Sequence, residues 1–291
     1  PDPAERGMTG PIRSTCPYCG VGCGVLLSPD GKGGVAVTGD TDHPANFGRL
    51  CSKGAALGET VGLEGRLLAP MIDGQNSDWE TAASLVAARF SQTIHDHGPD
   101  SVAFYVSGQL LTEDYYVANK LMKGFIGSAN IDTNSRLCMS SSVAGHKRAF
   151  GSDTVPGQYD DIELADLVVL VGSNLAWCHP VLFQRLAAAK EQRPAMQVVV
   201  VDPRRTATCD IADLHLAITP GADVALFNRL LVALADRGAL DTGFLDHVTG
   251  FEATLAAARI PAETGLAPAD LNRFLDLFTS SEKVVTLYSQ G

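Results

Sequence analysis

The spacing of four cysteines constrains this chain more than any other feature of it. Cys16, Cys19, Cys23 and Cys51 read as C-x2-C-x3-C-x27-C. Three thiols on a turn that also carries Gly20, Gly22 and Gly24 can wrap one side of a metal centre, and the distant Cys51 closes it. Ligation by four cysteines suits both zinc and iron–sulfur clusters. Structural zinc sites more often use two short cysteine pairs, and the second half here has the single Cys51, so a [4Fe–4S] cluster is the stronger reading. The glycines leave backbone N–H groups free to approach cluster sulfurs and tune the potential. Cys138, Cys178 and Cys209 bring the total to seven. An odd count crowded toward one end is no disulfide framework and points to a reducing compartment.

The bulk numbers exclude some functions. A chain of 291 residues, 45% hydrophobic and 19% charged, buries a sizeable core in one large domain or two ordinary ones. Its formal net charge of -11 argues against nucleic acid or an anionic membrane surface as partner. No apolar run approaches the roughly 20 residues that span a bilayer. Pro1 to Gly10 lacks a secretory pattern, and no twin-arginine pair precedes Cys16. Met8 is a candidate natural start, with Pro1 to Gly7 extra.

Two compositional regions follow. Residues 10–67 are rich in Gly and Cys and read as a small β-containing lobe, with a strand at Val35 to Val37. A bound cluster replaces part of a hydrophobic core in such a lobe. Residues 68–291 alternate strands with helices. Ser77 and Glu80 form a capping-box signature, and Trp79, Ala82, Ala83, Val86, Phe90 and Ile94 follow at helical spacing. Strands are expected at Ser101 to Ser107, Leu167 to Val171, Gln197 to Val201, Leu214 to Ile218 and Val284 to Tyr288. Helices are expected from Thr112, near Pro180, over Asp223 to Arg237, and over Ala269 to Phe278. This alternation predicts an α/β fold with a doubly wound, mainly parallel sheet.

Further residues carry chemistry. Val171-Gly172-Ser173-Asn174 lies between a buried strand and a helix, where backbone N–H groups can hold phosphate. Asp202, ending the next strand, is placed like an acid that hydrogen-bonds ribose. No G-x-G-x-x-G is present, so simple NAD binding is poorly supported. Asp223 is also a good helix N-cap, Arg204 and Arg205 are either phosphate contacts or solvated arginines, and an isolated Cys138 is most often a small buried hydrophobe.

The segment from Thr15 to Gly24, with Leu50-Cys51-Ser52-Lys53-Gly54, resembles the N-terminus of the bis-molybdopterin-guanine-dinucleotide oxidoreductases, the dimethyl sulfoxide reductase family. The resemblance runs from about residue 12 to 291. It implies that Lys53 lies between the cluster and a pterin and assists electron transfer. It implies that Cys138, in Asn134-Ser135-Arg136-Leu137-Cys138-Met139, ligates molybdenum. It also implies that Gln109, Gly172, Asn174, Asp202, Arg204, Gly221 and Asp223 hold the pterin guanine dinucleotide. Formate dehydrogenases of the family place His after the metal ligand; Met139 stands there instead and favours oxygen-atom transfer.

The stretches Leu137 to Ser140 and Ala176 to Leu182 resemble assimilatory nitrate reductases. The expectation is therefore a cytoplasmic, molybdenum-dependent reduction of nitrate to nitrite. Electrons come from ferredoxin, flavodoxin or an NAD(P)H-dependent flavoprotein subunit. Cys178 and Cys209 are expected to be structural thiols. Members of the family continue well beyond this length, so the chain is expected to be an N-terminal part, inactive alone. A formate dehydrogenase and a non-catalytic iron–sulfur electron-transfer subunit are the rival readings.

Overall fold

The structure is a computed structural model that describes residues 10–289, leaving aside the side chains of residues 135–138. Its strands are β1 Ile12–Thr15, β2 Gly24–Pro29, β3 Val35–Gly39, β4 Met71–Ile72, β5 Gln75–Asn76, β6 Phe104–Val106, β7 Ile131–Thr133, β8 Leu167–Val171, β9 Gln197–Val201, β10 Leu214–Leu216 and β11 Val284–Tyr288. Its α-helices are α1 Ser52–Ala55, α2 Trp79–His97, α3 Thr112–Asn119, α4 Ser135–Phe150, α5 Tyr159–Leu164, α6 Leu175–Cys178, α7 Pro180–Gln192, α8 Asp223–Asp236, α9 Thr242–Leu245, α10 Phe251–Ala258 and α11 Pro268–Ser280. The chain forms two compact units: one runs up to Gly62 and resumes at Gly157, and the other is Leu63–Pro156. This grouping by packing is separate from the division of function expected between residues 67 and 68.

In the first unit, a parallel sheet has the strand order β10-β9-β8-β11. All five residues of β8 are buried, and so are the last four of β9, as expected for strands covered on both faces. Alternate residues serve opposite cores. Val168, Leu170, Val198 and Val200 pack with Ile162 of α5 and Leu186 of α7. Leu167, Val169, Val199 and Val201 pack with Leu226 of α8 and Phe274 of α11. Helices on both faces make the sheet doubly wound. The chain runs outward from β8 to β9 to β10 and then returns to place β11 on the other side of β8. That reversal is a topological switch point, and its carboxyl edge is where open α/β sheets bind ligands.

The cysteine-bearing lobe belongs to the same unit. β1, β2 and β3 form an antiparallel sheet, and Cys16, Val21, Cys23 and Val25 join the core shared with α5 and α7.

The second unit is smaller. β6 and β7 form their own parallel pair of three residues each, so the strand expected over Ser101 to Ser107 is shorter and stands apart from the main sheet. The helix expected after Ser77 begins one residue later: Asp78 is the N-cap, and its Oδ1 accepts the Thr81 N–H at 2.7 Å. The helix from Thr112 continues as a π-helical turn over Lys120–Ile126 before Gly127, at φ 83°, ends it.

Candidate functional site

Cys16 directly follows β1 and Cys23 directly precedes β2, so the three clustered cysteines occupy one hairpin loop. The Cys16 N–H closes it on the Cys23 carbonyl at 2.8 Å. Gly24, the first residue of β2, has no room for a side chain: a Cβ there would stand 2.4 Å from His43. That close approach brings the 43–51 segment, with Cys51, against the hairpin. Cys51 is the N-cap of α1, and its carbonyl accepts the Ala55 N–H at 2.9 Å. Cys16 and Cys23 are buried, while Cys19 and Cys51 are half-buried.

The four thiols act on one another. Burial, and then the thiols of Cys19, Cys16 and Cys51, push Cys23 up from 9.0 to about 11. Four thiolates gathered there need cations to compensate them. A cluster in which each iron takes one cysteine supplies them, and a donor set of four thiolates fits a [4Fe–4S] cluster. Lys53 is exposed on α1, close enough to His179 that, after burial, its charge helps to hold the imidazole below its ordinary value.

Six of the residues expected to meet a dinucleotide, all but Gln109, lie beyond the carboxyl ends of strands of the main sheet. Gly172, at φ 52°, and Asn174 follow β8 at the switch point. Thr208 donates to Asn174 Oδ1 at 3.1 Å and accepts the Ala176 N–H at 3.2 Å, which fixes this loop. Asp202 follows β9, is buried, and accepts the Arg204 N–H at 2.8 Å, so it also shapes its own turn. Arg204 and Arg205 are exposed. Gly221 has φ 84°, and Asp223 is the first residue of α8, whose N-cap is Ala222.

Sequence reasoning missed Thr206. Its buried Oγ1 is the one side-chain polar atom of this kind without a partner among the described residues. It lies in the loop after β9, and no sequence signal distinguishes it from any other threonine. The loops at this edge carry free backbone N–H groups and the buried Asp202 carboxylate, the kinds of group that hold a dinucleotide. Cys209 is a buried core thiol, whereas Cys178 is exposed.

In the second unit, Gln109 and Cys138 lie after the carboxyl ends of adjacent parallel strands. Ser107, Gly108 and Gln109 follow β6, and α4, which carries Cys138 and Met139, begins just after β7. Asn134 joins the two connections by accepting the Gly108 N–H at 2.7 Å. Tyr115 also donates to the Ser107 carbonyl at 2.6 Å. Met139 is 41% exposed, and the side chain of Cys138 lies outside the described residues. No helix among the described residues is long and apolar enough to cross a membrane.

Comparison with known proteins places this architecture. Residues 11–62 match the molybdopterin oxidoreductase Fe4S4 domain, and residues 66–249 match molybdopterin oxidoreductase. A nitrate reductase of Klebsiella oxytoca is 58% identical over 96% of this chain and 32% of its own length. A nitrate reductase of Shewanella frigidimarina is 48% identical over the same shares. A periplasmic nitrate reductase of Desulfovibrio desulfuricans is 43% identical over 75% of this chain and 30% of its own length. The chain thus spans about a third of the length of these relatives. An acetylene hydratase from Pelobacter acetylenicus shares the fold, with a TM-score of 0.83 at 20% identity over 96% of this chain and 40% of that one. The family matches assign a 4Fe–4S cluster and a molybdopterin cofactor. The chain belongs to the molybdopterin oxidoreductase family, with the iron–sulfur domain of that family at its front.

Proposed function

We propose that the protein is the catalytic subunit of a molybdenum-dependent nitrate reductase that converts nitrate to nitrite by oxygen-atom transfer. The observation that carries this reading is the 58% identity to a nitrate reductase over 96% of the chain. Bound cofactors supply one-electron delivery at the cluster and a two-electron, oxygen-accepting metal at the pterin. The chain's own residues hold and orient them. Cys16, Cys19, Cys23 and Cys51 ligate the cluster, within an iron–sulfur domain over residues 10–67, and Cys138 ligates molybdenum. Gly172, Asn174, Asp202, Arg204, Gly221 and Asp223 receive one pterin guanine dinucleotide along the sheet edge, within a domain over residues 68–291. Gln109 contacts the pterin, and Lys53 bridges it to the cluster.

Met139 supports oxygen-atom transfer over formate oxidation, because a thioether cannot accept the proton that formate releases. The finer reading is a cytoplasmic, assimilatory enzyme fed by ferredoxin, flavodoxin or a flavoprotein subunit. The stretch Ala176 to Leu182 supports it.

The test is nitrate-dependent oxidation of a reduced viologen by the full-length protein from a cofactor-competent host. Iron and molybdenum are counted in the same preparation. Nitrite formation that Cys138→Ala abolishes, with iron near four per chain, is the expected result. Formate-driven dye reduction without nitrite formation would sink the proposal in favour of a formate dehydrogenase. A molybdenum-free protein would leave only an electron-transfer subunit.

A further inference from the structure

The arm that carries Cys51 closes on a buried cation, Arg185, and the hairpin arm closes on its neighbour Tyr159. Arg185 of α7 is 1% exposed, a rare setting for arginine. Its Nη1 donates to the carbonyls of Pro44 and Ala45 at 2.8 and 3.1 Å. Its Nε donates to Glu163 at 2.7 Å and its Nη2 to Asp160 at 3.0 Å. The guanidinium also lies over the Phe47 ring, 5.0 Å from its centre. Four of the five N–H donors of the fork are thereby used, in directions a lysine cannot reproduce.

Asn46 carries the connection onward. It is fully buried, and its Nδ2 donates to the carbonyls of Gly24 and Arg49 at 3.0 and 2.9 Å. Its Oδ1 accepts the Gly24 N–H at 2.8 Å. Gly24 adjoins Cys23, and Arg49 lies two residues before Cys51. Beside the arginine, with its ring centre 5.9 Å from the guanidinium carbon, Tyr159 of α5 shares its one hydroxyl proton between the carbonyls of Gly20 and Val21, both at 3.2 Å. Those two residues lie inside the hairpin loop between Cys19 and Cys23.

We infer that Arg185 and Tyr159 are positioning residues for the iron–sulfur cluster. They tie the hairpin arm and the Cys51 arm to the helices beside the main sheet. The cluster then enters a socket whose width the protein sets. A buried ion pair seldom adds much stability over a well-packed apolar group, so geometry is the better account of a buried arginine here. Tyr159 adds an electrical effect. Its O–H dipole turns its positive end toward the loop between two ligands, which favours the negative charge gained on reduction. The inference rests on the cluster and not on the choice of nitrate as substrate.

The test uses this chain, loaded anaerobically with iron and sulfide. Tyr159→Phe keeps the ring and removes the hydroxyl proton that the two carbonyls share. It should hold about four irons, with a reduction potential more negative than the parent's. Iron loss to a chelator should quicken by about five- to tenfold, the range one neutral hydrogen bond supports. Arg185→Lys keeps the charge and loses the fork. Its iron should fall from about four toward three per chain while sulfide stays near four, because the Cys51 arm drifts from the other three ligands. Unchanged iron, potential and chelator resistance in both variants would overturn the proposal. So would a lower melting temperature with the potential unmoved, which is a structural role only. If circular dichroism shows that Arg185→Lys does not fold, Tyr159→Phe alone decides. Zinc uptake by the parent chain in place of iron is a separate outcome, and it removes the cluster itself.

Discussion

The two compact units use the same local grammar, parallel strands followed by helices, and bury it very differently. In the unit built on β8 and β9, two strands have almost every residue buried, and helices pack on both faces. In the Leu63–Pro156 unit, the nineteen-residue α2 has no buried residue at all. Its apolar stripe of Trp79, Ala82, Ala83, Val86, Phe90 and Ile94 lines an open groove of about 690 Å³ with Phe104, Leu121, Phe125 and Ile126. An amphipathic pattern states which face of a helix seeks burial. It does not state how completely the residues at hand can supply that burial.

The sharpest way to break this contrast is a pair of truncations. Phe274→Ala removes a fully buried ring from the core under β9 and should cost about 3–5 kcal/mol. Trp79→Ala removes a larger ring that is 76% exposed. It should cost less than about 0.5 kcal/mol, as other exposed positions do. Urea unfolding of this chain measures both. Similar costs would mean that the groove is closed in solution and that the two units do not differ as described.

The groove should also bind an apolar dye. Phe125→Asp places a charge where Phe125 stands 75% exposed on its rim. It should lower the fluorescence of anilinonaphthalene sulfonate by at least about half, with the melting temperature unchanged within about 2 °C. Undiminished dye binding would assign the apolar surface to another part of the chain.

A smaller effect sharpens the local side of the comparison. Asp78→Ala removes the cap of α2 and should cost about 1 kcal/mol. Hydrogen exchange should show it in the first turn of α2, with β8 and β9 unchanged.

Legibility in the sequence does not follow the division into units. β8, β9 and β11 have the bounds expected for them: β8 and β9 are short apolar runs rich in valine and covered on both faces, whereas β11 is only partly buried and is marked by its β-branched and aromatic residues. β1 and β2 were not legible. Every residue of β1 is exposed, and its only specification is pairing with β2 across the cysteine loop. The start of α2 was off by one because Ser77 and Asp78 are both good caps and only the Thr81 contact decides between them. The π-helical turn at Lys120–Ile126 has no pattern of its own. At the candidate site, spacing alone brought out the cysteines. Arg185, Tyr159, Asn46 and Thr206 were invisible, because their significance lies in contacts with segments remote in sequence or, for Thr206, in the lack of one.

The smallest expected effect concerns Lys53 and His179. Burial first, and then the Lys53 charge, hold the His179 pKa below its ordinary 6.5. The folded state therefore keeps this imidazole neutral at a pH where the unfolded chain begins to take up a proton. The unfolded state binds more protons there, so His179 contributes stability that is present above about pH 6.5 and is lost as pH falls through the folded value. Lys53→Gln removes the smaller of the two causes, so the pKa should rise only part of the way back. A proton NMR titration of the His179 ring, assigned by comparison with His179→Gln, measures it. An unmoved midpoint would mean that burial alone sets the histidine and that the Lys53 ammonium points away from it. A midpoint that rises would place the charge beside the start of α7, the helix that also carries Arg185. The cysteine-bearing lobe would then act on the helices beside the main sheet through charge as well as through hydrogen bonds.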